Sequence, residues 1–173
     1  MASKTGANLI PLGELIEKER LYSAVDKKRD TFVANMEKVR ERVKSIIMDS
    51  AEDIIVEGHF AVDIAPPDKV SHVFVLRRDP KELKETFVKR GYSEDKIQEN
   101  LAAEILDVCL CDAVRQCGID KVCEVNVSGR KVEDVVEEIR LVIDGKKECK
   151  VGIVDWLGKL ESEGKLDEYL KDI

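Results

Sequence analysis

Hydrophobic residues recur along the chain in two alternating patterns, one typical of helices and one typical of short buried strands. From residue 36 to residue 47, apolar side chains return every three or four positions opposite a lysine- and arginine-rich face, which predicts an amphipathic helix. The apolar runs at residues 53–57, 70–76 and 122–127 predict strands. Strands separated by helices at this spacing indicate an α/β fold with a mostly parallel sheet.

The first 35 residues predict the end of a helix, a strand, a second helix and a loop. Residues 1–6 have the pattern of a helix end that Gly6 caps. Residues 8–11 predict a short strand closed by proline, and residues 13–22 predict a helix. Residues 23–35 are charged and irregular, which is typical either of a mobile flap over a substrate or of an ordinary solvated loop.

The second half of the chain predicts four more helices. One is expected from Asp79, a typical N-cap residue, to Gly91. Ser93 is expected to cap a single long helix that ends near Gly118. The pattern predicts two further helices, at residues 132–143 and 154–170. A chain of 173 residues with this alternation is most simply one domain.

Composition and charge exclude several classes of protein. With 43% hydrophobic and 38% charged residues, the chain is globular and not disordered. The net charge of −7 argues against nonspecific binding to nucleic acid, so any link to RNA is expected to run through a protein partner or a local basic patch. No apolar run has membrane-spanning length and no signal peptide opens the sequence, so we expect a cytoplasmic protein.

The five cysteines are expected to be reduced and free of metal. An odd number in an intracellular chain argues against a disulfide framework. Cys109 and Cys111 are two positions apart on a predicted helix, so their thiols face different directions and make a poor metal-binding pair.

The strongest candidate for chemistry is the stretch at residues 53–59 (DIIVEGH). In open α/β sheets, active sites lie just beyond the carboxyl ends of the strands, and this predicted strand ends in an acid, a glycine and an imidazole. Glu57 and His59 therefore stand where a metal-bound phosphate can be handled, and Gly58 lets the backbone turn. The alternative interpretation is a strand that ends in an ordinary turn.

Seven stretches, taken in their order and spacing, carry a resemblance to a known family. They are residues 2–6 (ASKTG), 13–15 (GEL), 21–22 (LY), 57–59 (EGH), 73–77 (VFVLR), 90–94 (RGYSE) and 155–157 (DWL). They resemble the archaeal branch of the nuclear-type adenylate kinases, isoenzyme six in the eukaryotic naming. The resemblance implies a three-layer P-loop nucleoside-monophosphate-kinase fold with a parallel sheet. It also implies Mg²⁺-dependent transfer of the terminal phosphate between ATP and AMP.

The resemblance implies roles for individual residues. Glu57 matches the family's acid, more often aspartate, that helps to hold the water shell of Mg²⁺, and His59 matches the histidine beside the transferred phosphate. Arg90 matches the arginine that opens the lid and contacts the phosphates of ATP. Its alternative role is an exposed arginine that interacts favourably with a helix dipole. The resemblance further implies substrate contacts for Gly13, Leu15 and Arg77.

The same resemblance divides one kinase-like domain, residues 1–173, into three functional parts. Residues 11–34 correspond to the monophosphate-binding region, residues 89–99 to the lid and residues 150–173 to a C-terminal helical tail.

The phosphate-binding loop with which the family begins does not occur in residues 1–173. That loop, G-x-x-G-x-G-K-[ST], follows the first strand of the family, which would be the missing central strand of the sheet. Two explanations for the absence of the loop stay open. One is a misplaced start codon or a truncated chain, and the other is a genuine family member without the loop. We expect an in-frame upstream segment that encodes the strand and the loop. For residues 1–173 alone, we expect weak ATP binding and transfer near background.

Three functions stay open. The first is an adenylate kinase that also hydrolyses ATP. The second is a factor in late maturation of the small ribosomal subunit and its rRNA, acting through a platform ribosomal protein, the eleventh of that subunit. The third is a non-catalytic module that binds nucleotide or ribosomal protein. For all three, we expect neither direct sequence-specific nucleic-acid binding nor a membrane partner.

Overall fold

Two compact units, Met1–Val70 and Ser71–Ile173, make up the fold in a computed structural model that describes residues 1–26 and 31–170. Each unit contains a pair of parallel strands and its own hydrophobic core. The predicted α/β class with parallel strands is therefore confirmed, while the three-layer arrangement and the missing central strand stay predictions. None of the described helices is long and apolar enough to cross a membrane.

The first unit combines short strands with helices. Its helices are α1 (Ala2–Thr5), α2 (Leu12–Lys18), α3 (Met36–Asp49) and α4 (Ala61–Ile64). Its strands are β1 (Asn8–Pro11), β2 (Tyr22–Asp26), β3 (Thr31–Ala34) and β4 (Ile54–Glu57). Strands β1 and β4 pair in parallel, with Asn8 opposite Ile54 and Pro11 opposite Glu57. The predicted cap at Gly6 is confirmed, because this residue has a φ of 73° and its N–H donates to the carbonyl of Ala2.

The core of the first unit lies between α3 and the parallel strands. Val39 and Val43 of α3 are fully buried, and they belong to one cluster with Ile10 of β1 and Leu12 and Ile16 of α2. Burial of each such side chain stabilises the unit by about 1.5–3 kcal/mol. Helix α3 begins where the sequence predicts it, because the side chain of its N-cap residue accepts a hydrogen bond from the third residue of the helix.

The prediction of an irregular flap at residues 23–35 is wrong. Strands β2 and β3 form an antiparallel hairpin, and the rings of Tyr22 and Phe32 stack with centroids 4.5 Å apart. The preceding helix also ends earlier than predicted, at Lys18, and Arg20 then turns the chain with a φ of 53°. Residues 27–30, which belong to the predicted flap and monophosphate-binding region, lie outside the described residues.

The second unit packs helices on the parallel pair β5 (Val73–Arg77) and β6 (Val122–Asn126). Its helices are α5 (Pro80–Lys89), α6 (Glu94–Ile105), α7 (Val108–Cys117), α8 (Val132–Ile143), α9 (Trp156–Ser162) and α10 (Leu166–Tyr169). The predicted caps of α5 and α6 are confirmed, since Asp79 accepts a hydrogen bond from the N–H of Lys81 and Ser93 accepts one from the N–H of Lys96.

Two of the predicted long helices are wrong in this unit, because each is broken into two. The expected helix at residues 93–118 breaks between α6 and α7, where Asp107 has a φ of 57°. Aspartate tolerates this left-handed conformation better than most residues, and the carboxylate of Asp107 bonds to Arg77. The expected helix at residues 154–170 breaks at Gly164, which has a φ of 65°. Residues 171–173 of the predicted tail lie outside the described residues.

The cysteine prediction is wrong for one pair. Cys123 of β6 and Cys149 of the loop after α8 are joined by a disulfide with a Cα–Cα distance of 4.7 Å, whereas Cys109, Cys111 and Cys117 form no disulfide in the described part of the chain. The two partners are 26 residues apart in sequence, so their spacing alone does not indicate the pairing. The N–H of Glu124 also donates to the carbonyl of Lys150, which holds the same loop against β6.

Candidate functional site

The first part of the candidate site lies at the end of β4. Glu57 is the last residue of this strand, and its partner in the register of β1 is Pro11. Because β1 and β4 are parallel, both strands end at the same edge, where α2 begins immediately after β1. Glu57 and His59 are both exposed there, and neither side chain forms a hydrogen bond or ion pair within the described part of the chain.

Gly58 makes the sharp turn between these two residues possible. Its φ is 151°, and a Cβ atom at this position would lie 3.1 Å from Cβ of Leu12. A side chain here would therefore be strained by the backbone and crowded by the first residue of α2. The close approach brings the Glu57–His59 turn next to the start of α2, which carries Gly13 and Leu15.

Gly13 and Leu15 differ in their surroundings. A Cβ atom at position 13 would meet no other atom within 4 Å, so the start of α2 is open beside Gly13. Leu15 is half-buried and packs against the core of the first unit. The structure therefore gathers four of the six predicted site residues, Glu57, His59, Gly13 and Leu15, on one unit.

This strand end suits a metal ion that is held mainly by phosphate and water. No group of three or more histidine, cysteine or acidic side chains that could hold a metal occurs among residues 1–26 and 31–170. Mg²⁺ commonly keeps several waters and binds through one or two carboxylates together with substrate phosphates. The single exposed carboxylate of Glu57 fits that mode of binding, and the imidazole of His59 can donate a hydrogen bond or a proton nearby.

Arg90 lies on the second unit, at the far end of α5. It is the C-cap residue, and Gly91 follows with a φ of 70° and turns the chain toward α6. The guanidinium is exposed and has no hydrogen-bond or ion-pair partner within the described residues. An unpaired arginine at the tip of two helices is free to bind an anion such as a phosphate.

Arg77 has the opposite environment. Its side chain is only 2% exposed and lies among three carboxylates, in a group that we call the Arg77 cluster (Arg77, Glu104, Asp107 and Glu124). The guanidinium donates to Oε1 of Glu104 at 2.9 Å, to Oδ1 of Asp107 at 2.5 Å and to Oε1 of Glu124 at 2.6 Å. Burial alone would lower the pKa of Arg77, but the charges and hydrogen bonds of Glu104 and Asp107 outweigh it and raise the pKa above its ordinary value.

The cluster extends to backbone and aromatic groups. Oε1 of Glu104 also accepts from the indole N–H of Trp156 at 2.8 Å, and Oε2 of Glu124 accepts from the N–H of Ile153 at 2.8 Å. The guanidinium of Arg77 therefore has three partner residues within the protein, and its predicted contact with substrate stays a prediction. Glu104 and Glu124 were not among the site residues predicted from the sequence. An acid inside the buried run VCEVN was the available signal, because such a charge needs a cationic partner.

Comparison with known proteins places the chain in a family. The AAA domain family matches residues 2–107. A Methanosarcina acetivorans protein named "Putative adenylate kinase" is 40% identical over 162 residues, which cover 86% of this chain and 83% of the relative. A protein of the same name from Methanocaldococcus jannaschii is 37% identical over 159 residues, with coverage of 92% and 84%. A third, from Halobacterium salinarum, is 33% identical over 152 residues, with coverage of 88% and 85%.

These matches extend over most of the chain and most of each relative. The protein therefore belongs to the AAA domain family and, within it, to the family of these archaeal proteins. The resemblance found in the sequence is confirmed at this level. The narrower assignment to the isoenzyme-six branch stays a prediction.

Proposed function

We propose that the protein is a nucleoside-monophosphate kinase that converts ATP and AMP into two molecules of ADP. In this reaction a phosphate oxygen of AMP bonds to the terminal phosphorus of ATP, and the bond from that phosphorus to the bridging oxygen of the departing ADP breaks. The names of the archaeal relatives support this function. The observation that carries it is the exposed acid-glycine-histidine turn at the end of a parallel strand, next to the start of α2.

Five of the six predicted site residues, all except Arg77, have a role in this proposal. Glu57 binds a water of the Mg²⁺ ion that accompanies ATP, and Mg²⁺ supplies neutralisation of phosphate charge. His59 donates a hydrogen bond to the phosphoryl group in transfer. Gly13 and Leu15 line the monophosphate side. Arg90 contacts the phosphates of ATP from the lid, residues 89–99, since phosphoryl transfer depends on positioning and charge stabilisation.

The proposal includes two finer activities that come from the family resemblance. Water in place of AMP would make the same site an ATPase. In the cell, hydrolysis would serve late maturation of the small ribosomal subunit through its eleventh protein, on the platform. Co-sedimentation of the protein with small-subunit precursors tests this role, and absence from those fractions would leave the kinase reaction as the function.

The test of the kinase reaction is a coupled assay of ADP formation with the full-length protein expressed from its complete gene. We expect ADP to form only when ATP, AMP and Mg²⁺ are all present. No ADP above background would contradict the proposal and favour the alternative, a non-catalytic module that binds nucleotide or ribosomal protein.

Glu57→Gln tests the metal role within the same assay. Glutamine keeps the shape of the side chain and loses its charge, so we expect a higher Mg²⁺ concentration at half-maximal rate. The matched control is Glu133→Gln, which removes an exposed carboxylate from α8. An unchanged Mg²⁺ dependence in Glu57→Gln would remove Glu57 from the metal site.

A further inference from the structure

One carboxylate oxygen bonds at the base of the helical hairpin that carries Arg90. The hairpin consists of α5 and α6, and its base is where α5 starts and α6 ends. Oε1 of Glu104 accepts hydrogen bonds from Nε of Arg77 at 2.9 Å, from the backbone N–H of Arg78 at 3.1 Å and from the indole N–H of Trp156 at 2.8 Å. Arg78 directly precedes Asp79, the N-cap residue of α5, whereas Glu104 lies in the last turn of α6. The start of α5 and the end of α6 are therefore fixed to the same atom.

The two helices between these fixed points form a packed arm. The rings of Phe87 and Tyr92 stack with centroids 5.3 Å apart at the far end, and Ile97 and Leu101 of α6 are buried in the same cluster as Phe87. Arg90 lies in the turn that joins the helices. At 1.5 Å per residue, the ten residues of α5 place this turn about 15 Å from the base.

We infer that Glu104 is a positioning residue for Arg90. This inference rests on the proposed function, in which Arg90 contacts the phosphates of ATP. A tilt of about 10° at the base of an arm of about 15 Å displaces its tip by roughly 2.5 Å. A misplacement of about 1 Å costs on the order of a hundredfold in rate, so the base must hold the arm firmly.

Glu104 differs from the other two carboxylates of the Arg77 cluster in its hydrogen-bond partners. Within the described part of the chain, Asp107 connects Arg77 to the α6–α7 junction, and Glu124 connects it to β6 and to the N–H of Ile153. Glu104 alone of the three bonds to the backbone at the start of α5. It is also the carboxylate that bonds to Trp156, the single tryptophan of the chain, whose fluorescence therefore reports on the base of the arm.

Hydrogen exchange of Glu104→Gln in the full-length protein tests the inference without relying on activity. Glutamine keeps the shape and a carbonyl acceptor but loses the charge that holds Arg77. We expect amide exchange in residues 88–99 to become about tenfold faster or more, with α8 unchanged and with a shift in Trp156 emission. The inference would be overturned if residues 88–99 exchanged at the same rate in Glu104→Gln and in Glu133→Gln. It would also be overturned if exchange in α8 of Glu104→Gln became faster by the same factor as in residues 88–99, because that result means a general loosening of the fold.

A double-mutant cycle on turnover then separates positioning from simple stabilisation. Glu104→Gln should lower kcat while leaving the KM for AMP nearly unchanged. In the Arg90→Ala background it should lower kcat no further, because the residue through which it acts is already gone. Additive losses would contradict the inference. If the unmodified protein forms no ADP at all, the proposed function fails, and hydrogen exchange alone decides whether Glu104 fixes the arm.

Discussion

Glu57 and Arg77 occupy equivalent places in the two units, since each is the last residue of a parallel strand. Their surroundings differ completely. Glu57 is exposed and forms no side-chain hydrogen bond within the described residues, whereas Arg77 is buried and donates to three carboxylates. The difference shows that a charged residue at a strand end has no fixed role. Burial and the presence of protein partners decide whether the charge stabilises the fold or stays available to a ligand.

The cost of burial explains this division. A buried ion that loses its partner is strongly destabilising, while the pair as a whole adds little over well-packed apolar residues. The Arg77 cluster is therefore best understood as a fixed connection among β5, β6 and the helices α6 and α9. The Glu57–His59 turn is held instead by the close contact of Gly58 with Leu12 and by a hydrogen bond from the backbone N–H of Ala61 to the carbonyl of Gly58.

The largest effect is expected from Arg77→Ala. This substitution leaves Glu124, whose side chain is fully buried, without its cationic partner, so we expect a loss of about 3–5 kcal/mol in the free energy of unfolding. Urea denaturation measures the loss. The control is Arg115→Ala, which removes an exposed arginine from α7 and should change stability little. A loss below about 1 kcal/mol for Arg77→Ala would mean that the cluster does not stabilise the fold.

Arg90→Ala should have the opposite effect, with little change in stability and a large loss of turnover. Because the side chain is exposed and unpaired in the described structure, its removal should leave the free energy of unfolding nearly unchanged. We expect turnover to fall roughly ten- to a thousandfold, the range for loss of one contact to a transition state. Steady-state kinetics, with Arg115→Ala as the matched control, measure the effect. Equal turnover in the two variants would remove Arg90 from the proposed site.

The smallest effect concerns Asp79, which is exposed in part and caps α5. Asp79→Ala removes the acceptor for the N–H of Lys81 and should cost about 1 kcal/mol, whereas Asp79→Asn retains the cap and should cost less. Thermal unfolding of both variants beside the natural protein provides the comparison. Equal losses in the two variants would show that the ion pair with Lys159, and not the cap, is the stabilising contact.

The same residue predicts a dependence on pH. Burial on its own would raise the pKa of Asp79, but hydrogen bonds from Lys159 and from the backbone N–H of Lys81 lower it below its ordinary value of 3.8. A pKa that is lower in the folded state means that the stabilisation is complete above pH 3.8 and is lost as the pH falls through the folded-state pKa. The stability difference between the natural protein and Asp79→Ala should therefore shrink on acidification. A constant difference would contradict this assignment.

Sequence reasoning succeeded where the cause of a structure is local. The caps at Asp79 and Ser93 are read from two or three neighbouring residues, and both are confirmed. The break at Asp107 was missed because its partner, Arg77, is 30 positions away. The hairpin of β2 and β3 was missed for the same reason, since its stability depends on pairing between two strands that each look irregular alone.

The same distinction between local and distant causes applies to the residues of the candidate site. Glu57, Gly58 and His59 form a local motif at a strand end, so they were visible in the sequence. Glu104 was not, because its side chain bonds to residues 26, 27 and 52 positions away. An acid that acts only through distant partners leaves no short motif, and only the folded structure shows what it joins.

The most direct test of the account is turnover and stability measured together in His59→Ala. The control is His72→Ala, which removes the other histidine of the chain. We predict that ADP formation by His59→Ala falls roughly ten- to a thousandfold while its free energy of unfolding stays within about 0.5 kcal/mol of the natural protein. Turnover equal to that of His72→Ala would show that the acid-glycine-histidine turn is structural, and it would contradict the proposed site.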